Sequence, residues 1–255
     1  MTDSARPLNG AGVLVTRPAH QADRLCQMIE EKGGQARRFP TLEILPLADL
    51  SDLDKVLAEL AEFHIAIFVS ANAVAPVFGR LKDGFPADVW LAAVGGSTAG
   101  VLESYGRKVD LIPEQSINSE GLLLLESLND VDNERIVIFR GEVGRELLAD
   151  TLQQRGATVD QVSVYRRACP GTDPRALDDW RNDLKFITVT SNESLDNLLQ
   201  IATIDQAQRL KILPLIVLSE RMKTHATEAG FNTVYVTREP GDEAIVDALI
   251  ELEAG

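Results

Sequence analysis

The sequence predicts an α/β protein made of two similar parallel-sheet domains, and three observations support this prediction. Short β-branched runs repeatedly end at a polar or glycine corner and then change to helical spacing, as in parallel α/β folds. Within the apolar runs polarity does not alternate, which is typical of strands covered on both faces. Segments from different parts of the chain also resemble each other at a nearly constant offset. The seven strand-corner-helix units are GVLVTRPAHQADRL, IAIFVSANAVAPVF, WLAAVGGSTAGVL, RIVIFRGEVGRELL, FITVTSNESLDNLL, LIVLSERMKTHA and TVYVTREPGDEAIV.

Helix start and stop signals stand at these corners. Hydroxyl and amide side chains at the predicted starts can accept hydrogen bonds from the unpaired amides of the first turn. Glycines that follow the helical stretches suit C-terminal caps. The predicted starts are Ser70 or Asn72, Ser97 or Thr98, Ser191 or Asn192, and Ser219, and the predicted ends are Gly33, Gly106, Gly156 and Gly230.

The internal resemblance also predicts how the domains divide the chain. The N-terminal unit resembles the RIVIFRG unit in the middle of the chain, so one domain is expected to combine both chain ends. We predict a first domain of residues 1–38 plus 169–255 and a second of residues 39–168. The chain then crosses twice, at about 36–46 and 158–168, where alternating residues suit a two-stranded antiparallel linker. Each domain is expected to be flavodoxin-like or Rossmann-like.

Composition excludes several classes of function. The 255 residues carry a formal net charge of -14, which argues against non-specific binding to nucleic acid. Neither a signal peptide nor an apolar run of membrane-spanning length is found, so we expect a cytoplasmic protein. Cys26 and Cys169 lack a CxxC pattern and are expected to be reduced thiols. His20, His64 and His225 are scattered, which predicts no metal site.

The GGSTAG corner after the WLAAV run has two interpretations. It matches neither G-x-G-x-x-G nor a Walker P-loop, so a nucleotide site is not supported. It is either a plain turn capped by Ser97 or Thr98, or a ligand-binding corner whose helix amides attract anions. Both interpretations can hold together.

The carboxyl ends of parallel strands meet at one edge of a sheet, so the corner residues become candidate ligand contacts. Arg37, Arg38, Arg166 and Arg167 add positive charge on the crossing segments. Arginine suits carboxylates because its planar fork donates two parallel hydrogen bonds. The arginines indicate either a polyanionic small ligand or merely a solvated strand edge. The candidate contacts are Arg17, Ser70, Asn72, Ser97, Thr98, Arg140, Ser191, Asn192 and Ser219.

Several motifs, taken in order, resemble the uroporphyrinogen-III synthase family. They are LVTRP, FVSANAV, AVGGSTAGVLESYG, FRGEVGRELLADTLQQRG, VYRR and TVTSNESLDNL, and they span most of the chain. The resemblance implies two α/β domains joined by a two-stranded ladder, a monomer, and no metal or organic cofactor. It implies that a polycarboxylate, linear hydroxymethylbilane received from hydroxymethylbilane synthase, binds between the domains and is closed to uroporphyrinogen III. The product has ring D inverted through a spiro intermediate, and water is lost.

The resemblance also implies roles for individual residues. The acid that assists loss of the terminal hydroxyl falls on Tyr165, and substrate-binding hydroxyls fall on Thr98 and Ser70. A phenol stays protonated at neutral pH and can donate towards a leaving hydroxyl, although Tyr165 could instead only pack the hinge. The LSERMKTHA corner departs from the G-P-T-T-A pattern of many members, placing Met222 where they have threonine. Only Ser219 is kept there as a contact.

Two other functions remain compatible with the pattern alone. One is a two-lobed binding module without catalysis, such as a sensor for a small anion, but no DNA-reading helix pair accompanies it. The other is a nucleotide or sugar-phosphate enzyme, which lacks the required phosphate-loop spacing.

Overall fold

The structure is a computed structural model in which residues 6–113 and 118–254 are described. Strands and helices alternate along most of it. The strands are β1 (Gly12–Val15), β2 (Gln35–Arg38), β3 (Glu43–Pro46), β4 (Ile65–Phe68), β5 (Trp90–Ala93), β6 (Arg135–Gly141), β7 (Thr158–Ala168), β8 (Leu184–Thr188), β9 (Leu215–Val217) and β10 (Val234–Val236). The α-helices are α1 (Asp23–Glu31), α2 (Ser51–Ala58), α3 (Val74–Phe78), α4 (Gly96–Ser104), α5 (Ser119–Leu123), α6 (Leu147–Gln154), α7 (Arg175–Asp179), α8 (Asn192–Ile201), α9 (Ile204–Lys211), α10 (Glu220–Glu228) and α11 (Asp242–Ala254). Short 3₁₀ turns cover Ala19–Gln21, Leu60–Glu62, Ala71–Ala73 and Glu126–Leu128.

Contacts divide the chain into two compact units. The first unit comprises Met1–Glu43 and Ala168–Gly255, and the second comprises Ile44–Arg167. The sheet of the first unit has the order β10-β9-β8-β1-β2, and its neighbouring strands are parallel. In the second unit the order is β3-β7-β6-β4-β5, with β7, β6, β4 and β5 parallel. The prediction of an α/β fold with parallel sheets is therefore confirmed.

Both faces of each sheet are buried, as the unbroken apolar runs predict. In β1, Leu14 packs in one apolar cluster while Val13 and Val15 pack in another. In β4, Phe68 and Ile67 likewise belong to two different clusters. Successive strand residues point to opposite faces, so helices must cover both sides of the sheet.

The two sheets repeat one topology. When strands are matched by the internal sequence resemblance, β9-β8-β1-β2 of the first sheet corresponds to β5-β4-β6-β7 of the second. Next to β5, Ala92 forms an isolated parallel bridge with Leu111, at the place where β10 follows β9 in the first sheet. The weak sequence repeat therefore reflects a repeat of structure.

The first predicted crossing segment, residues 36–46, is divided between two strands. Strand β2 ends at Arg38, and β3 begins only at Glu43. Between them the Phe39 side chain is fully buried, and Pro40 has no amide hydrogen to donate to a ladder. Arg37 and Arg38 consequently belong to the edge of the first sheet. The second predicted crossing segment is observed as one strand, β7, which lies beside β3.

The glycines predicted to end helices adopt the backbone conformation that such caps need. Gly33 has φ +81° and Gly156 has φ +92°, a region that residues with a side chain rarely adopt. Gly106 and Gly230 also have positive φ. Over the described ranges, no helix has the length and apolar character needed to cross a membrane.

Candidate functional site

The corner after β4 is organised by a serine. The Ser70 hydroxyl oxygen accepts a hydrogen bond from the Asn72 amide at 3.2 Å, from an extended backbone conformation. This confirms Ser70 as a cap, and Asn72 lies half-buried in the short turn that follows. Because the bond uses an oxygen lone pair, the hydroxyl proton of Ser70 remains available to a ligand.

The corner after β5 lacks the predicted cap. Helix α4 begins at Gly96, its N-cap is Gly95, and no side chain accepts from its first turn. Ser97 and Thr98 lie inside that turn, so the prediction that either one caps the helix is wrong. The Thr98 amide donates to the Gly95 carbonyl at 3.1 Å. The amides of Gly96 and Ser97 have no acceptor among the described residues, which leaves two donors at the positive end of the helix.

Arg140, at the end of β6, is a buried cation paired within its own unit. Its Nη1 donates to Glu146 Oε1 at 2.8 Å and also to the amide oxygen of Gln161. Gln161 Nε2 in turn donates to Glu146 Oε2 at 2.7 Å. Hydrogen bonds from Gln161 and then Arg140 hold the pKa of the Glu146 carboxyl below its usual range. The positive charge of Arg140 is thus paired with a carboxylate of its own unit.

Tyr165 lies on β7 next to the end of β6. Its side chain is 2% exposed and belongs to the apolar cluster on one face of the second sheet. Its partner in the parallel ladder is Gly141, and the Glu142 amide donates to the Tyr165 carbonyl at 2.9 Å. The phenol hydroxyl makes no hydrogen bond to any residue in the described part of the chain. Tyr165 therefore shares the carboxyl edge of the second sheet with Arg140.

In the first unit, Arg17 is likewise paired with a carboxylate. Its Nη1 donates to Asp242 Oδ1, and the two side chains are 16% and 10% exposed. Asp242 is the first residue of α11, where the positive end of the helix favours a negative charge. Arg17 matches Arg140 in the internal repeat, so at the carboxyl ends of the matching strands β1 and β6 each unit holds a mostly buried arginine paired with a carboxylate.

The other predicted contacts of the first unit are helix caps. The Ser191 hydroxyl accepts from the Ser194 amide at 3.1 Å and donates to the Ser194 hydroxyl at 2.9 Å. The Ser219 hydroxyl accepts from the Met222 amide at 3.3 Å. Both cap predictions are confirmed. Asn192 Oδ1 is buried and has no partner among the described residues, which leaves an acceptor free at this corner.

A set of buried threonines supports the same edge. The Thr16 hydroxyl donates to the Thr188 carbonyl at 2.9 Å, and the Thr188 hydroxyl donates to the Leu14 carbonyl at 3.2 Å. The Thr41 hydroxyl donates to the Ser194 carbonyl at 2.9 Å. These bonds join the ends of β1 and β8 and tie the start of α8 to the segment after β2.

Two of the arginines predicted on the crossing segments, Arg37 and Arg38, form ion pairs. Arg37 pairs with Asp183 at 3.2 Å and lies over the Trp180 ring, and Arg38 pairs with Asp23. Both arginines of β2 are therefore held in ion pairs within the first unit, and Arg37 Nε is buried without a partner among the described residues. Arg166 and Arg167, near the end of β7, are exposed.

The histidines are engaged in separate local contacts. His64 Nδ1 accepts from the Arg135 amide at 2.9 Å, and His225 Nε2 lies 2.7 Å from Asp196 Oδ1. Within residues 6–113 and 118–254, no three His, Cys, Asp or Glu side chains are arranged to hold a metal ion.

Sequence reasoning did not find several residues of these corners. Gly141 faces the Tyr165 ring, Glu146 and Gln161 hold Arg140, and Asp242 holds Arg17. The internal repeat, which matches Arg17 with Arg140, was the one available signal that both positions have a common role.

Comparisons with known proteins agree on one family. A family model described as uroporphyrinogen-III synthase HemD matches residues 23–247. The uroporphyrinogen-III synthase of Escherichia coli K12 is 32% identical over 93% of this chain and 99% of its own. That of Synechococcus elongatus is 34% identical over 77% of this chain and 76% of its own.

Two solved structures share the fold. A mutant uroporphyrinogen III synthase from the extremely thermophilic bacterium Thermus thermophilus superposes with a TM-score of 0.63 and 14% identity, covering 96% of this chain and 100% of its own. The uroporphyrinogen-III synthetase of Helicobacter pylori 26695 superposes with a TM-score of 0.64 and 16% identity, covering 95% of this chain and 99% of its own.

Proposed function

Since the chain belongs to the uroporphyrinogen-III synthase family, we propose that the carboxyl edges of its sheets bind linear hydroxymethylbilane and that Tyr165 assists the loss of water. The enzyme is a lyase of tetrapyrrole biosynthesis that forms uroporphyrinogen III. The family match over most of the chain is the observation that carries this function. It also sets aside the two alternatives, an anion sensor and a nucleotide enzyme, that the sequence pattern left open.

The proposed reaction begins at the terminal hydroxymethyl group of the bilane. Tyr165 donates its proton as the hydroxyl leaves, so that water departs and an azafulvene cation remains. The ring D carbon that bears its substituent attacks this cation and forms a spiro intermediate. Fragmentation and reclosure then invert ring D. Loss of a proton from the closing carbon restores the aromatic pyrrole, and return of a proton to the Tyr165 phenolate restores the acid.

The surroundings of Tyr165 suit a proton donor of this kind. Its hydroxyl has no partner among the described residues that would compete for the leaving group, and the phenolate left in the apolar cluster after donation is offset by the azafulvene cation that forms in the same step. General acids of this type contribute about 10²- to 10⁴-fold to a rate. The alternative role, packing alone, predicts instead that removing the hydroxyl leaves the rate unchanged.

In the second unit, the α4 start is proposed to bind a substrate carboxylate. Its free amides at Gly96 and Ser97 lie at the positive end of a helix that no side chain caps, an arrangement that favours anions. The hydroxyls of Ser70, Ser97 and Thr98 and the side chain of Asn72 are proposed to add further contacts. Arg140 keeps its Nη2 for a ligand, while its Nη1 is held by Glu146 and Gln161.

In the first unit, both hydrogen-bond donors and hydrogen-bond acceptors are proposed to contact the substrate. Ser219 keeps its hydroxyl proton for a carboxylate, since its cap bond uses only the oxygen lone pair. Asn192 offers a free buried acceptor that suits a pyrrole N–H. Arg17 and Ser191 are proposed as weaker contacts because both already have partners within the unit.

The contribution expected of the protein is mainly control of conformation. The bilane can close end to end without inversion, so the enzyme must hold it in the geometry that favours attack by the substituted carbon. A hundredfold bias between the two closures needs only about 2.7 kcal/mol between competing transition states. A few hydrogen bonds to carboxylates are enough to supply this difference.

The finer organisation remains part of the proposal. It comprises two domains joined by an antiparallel linker, and a cytoplasmic monomer that receives the bilane from hydroxymethylbilane synthase. It includes no metal and no organic cofactor. Support for these features comes from the family resemblance and from the composition of the chain.

The test is the identity of the product isomer. Hydroxymethylbilane made freshly by its synthase is mixed with the purified protein in the presence of a metal chelator, and the oxidised porphyrins are separated by chromatography. The proposal predicts mainly the type III isomer, while a reaction without the protein gives type I. A product that stays type I with folded protein contradicts the proposed function.

A further inference from the structure

The ladder between β6 and β7 contains a register shift beside Tyr165. Arg140 pairs with Ser163, but the next residue, Gly141, pairs with Tyr165 rather than Val164. One extra residue on a strand puts two successive side chains on the same side of the sheet. Val164 and Tyr165 accordingly belong to the same apolar cluster, so the shift is what turns the tyrosine ring towards that face.

The Tyr165 ring occupies space that a side chain at position 141 would need. A Cβ atom on Gly141 would lie 2.9 Å from both Cε2 and Cζ of Tyr165 and 3.2 Å from its hydroxyl oxygen. Real Cβ atoms essentially never approach other heavy atoms more closely than 3.0 Å. Because the ring is 2% exposed and belongs to a packed apolar cluster, any displacement of the ring disturbs that packing.

The backbone of Gly141 does not itself require glycine. Its φ is not among the positive values of the described glycines, so a side chain there meets no backbone penalty. The close contact with the phenol is therefore the feature of this position that excludes a side chain. The atoms in this contact are those at the hydroxyl end of the Tyr165 ring, and this hydroxyl is the proposed proton donor.

We propose that Gly141 is a positioning residue that sets where the Tyr165 hydroxyl lies. The inference rests on the proposed role of Tyr165 as the acid. A methyl group at position 141 must displace the phenol by a few tenths of an ångström or more, and general acid catalysis depends on placing the donor within hydrogen-bonding reach of the leaving oxygen. Substrate carboxylates bind elsewhere on the edge, so the effect is expected in kcat rather than in KM.

The kinetic test uses Gly141→Ala with Gly171→Ala as its matched control, because a Cβ on Gly171 meets no atom within 4 Å. We expect Gly141→Ala to lower kcat for type III formation at least tenfold with KM changed less than twofold, and Gly171→Ala to change neither. In the Tyr165→Phe background, the loss from Gly141→Ala should shrink to less than twofold because the positioned hydroxyl is absent. Full kcat in Gly141→Ala, or an equal loss in both backgrounds, overturns the proposal.

A measurement without substrate separates this inference from the proposed function. The chain has three tyrosines, so protein labelled with 3-fluorotyrosine is expected to give three ¹⁹F resonances, of which Tyr165→Phe identifies one. Gly141→Ala should shift that resonance and leave those of the exposed Tyr105 and Tyr235 unchanged. An unshifted Tyr165 resonance overturns the positioning role. If Tyr165→Phe instead keeps full activity while the resonance shifts, the acid role fails and the contact itself stands.

A stability cycle covers the case in which Gly141→Ala folds poorly. The variant pair Tyr165→Ala and Gly141→Ala/Tyr165→Ala removes the ring that the new methyl group would meet. We expect the two to unfold at the same denaturant concentration. A loss of stability from Gly141→Ala that persists without the ring shows that another contact is responsible and overturns the proposal.

Discussion

Replacing Gly95 with serine gives helix α4 the cap that its counterpart α10 already has. Gly95 matches Ser219 in the internal repeat, and its backbone is extended, with φ 179° and ψ 171°. Ser219 has φ -161° and ψ 156° and uses its hydroxyl to accept from a first-turn amide. Gly95→Ser is therefore expected to place a hydroxyl oxygen that accepts from the Thr98 amide, as Ser219 accepts from the Met222 amide. This oxygen would stand beside the Gly96 and Ser97 amides that we propose for a substrate carboxylate and would repel it.

Stability and binding are expected to change in opposite directions. A serine N-cap is more stable than alanine by about 1 kcal/mol and than glycine by a few tenths. A carboxylate that loses one hydrogen bond at the helix start loses about 1.4 kcal/mol of binding, which is about tenfold in affinity. Gly95→Ala is the matched control because it adds the same Cβ without a hydroxyl, so any steric cost is common to both variants.

The assay combines urea unfolding with steady-state formation of the type III isomer. We expect Gly95→Ser to unfold at higher urea than Gly95→Ala and to have a KM about tenfold higher. A more stable serine variant with the KM of the alanine variant would refute the reasoning, because it would show that the first-turn amides of α4 do not bind substrate.

Three further predictions concern charges and thiols. Asp242→Asn should lower the free energy of unfolding in urea by about 2 kcal/mol because it weakens the bond to the mostly buried Arg17. Glu243→Gln, whose pair with Arg24 is exposed, should change it by less than about 1 kcal/mol. Equal effects of the two variants contradict the buried pairing. Gln161 and Arg140 lower the pKa of Glu146 in the folded chain, so the ionised carboxylate stabilises the fold at any pH above its unfolded-state pKa. This stabilisation is lost as the pH falls through the lower folded-state pKa. The urea midpoint of Glu146→Gln should therefore fall less steeply than that of the wild-type protein as the pH drops below 4.5. Equal slopes in the two proteins contradict this prediction. Burial raises the pKa of the Cys26 thiol, so iodoacetamide at neutral pH should label the exposed Cys169 first by mass spectrometry, and equal labelling would be inconsistent with the burial of Cys26.

Local signals allowed much of the fold to be predicted from the sequence. Ser191 and Ser219 cap their helices because each hydroxyl directly precedes a helical run, and Gly33 and Gly156 end helices because few other residues adopt positive φ. The internal resemblance matched β9-β8-β1-β2 with β5-β4-β6-β7 because both sheets use the same order of units.

The features missed by the sequence analysis depend on distant parts of the chain or on small shifts in boundaries. Arg17 is paired by Asp242 and Arg140 by Gln161, and nothing near either arginine in sequence indicates these partners. At the α4 start, two hydroxyl residues follow the glycines, but the helix begins before both of them, so neither can cap it.

Strand boundaries and register were equally hard to predict. The break after Arg38 depends on burying Phe39 against the first unit's core, which is a tertiary effect. The register shift that brings Tyr165 opposite Gly141 leaves no local mark in the sequence.

Single-turnover kinetics of Tyr165→Phe test the central claim most directly. The variant and the wild-type protein are mixed rapidly with fresh hydroxymethylbilane, type III formation is followed in time, and Tyr235→Phe, an exposed tyrosine on β10, is the control. We predict that Tyr165→Phe forms the type III isomer about 100-fold more slowly while the control keeps the wild-type rate. A Tyr165→Phe protein that forms it at the full rate would contradict the account.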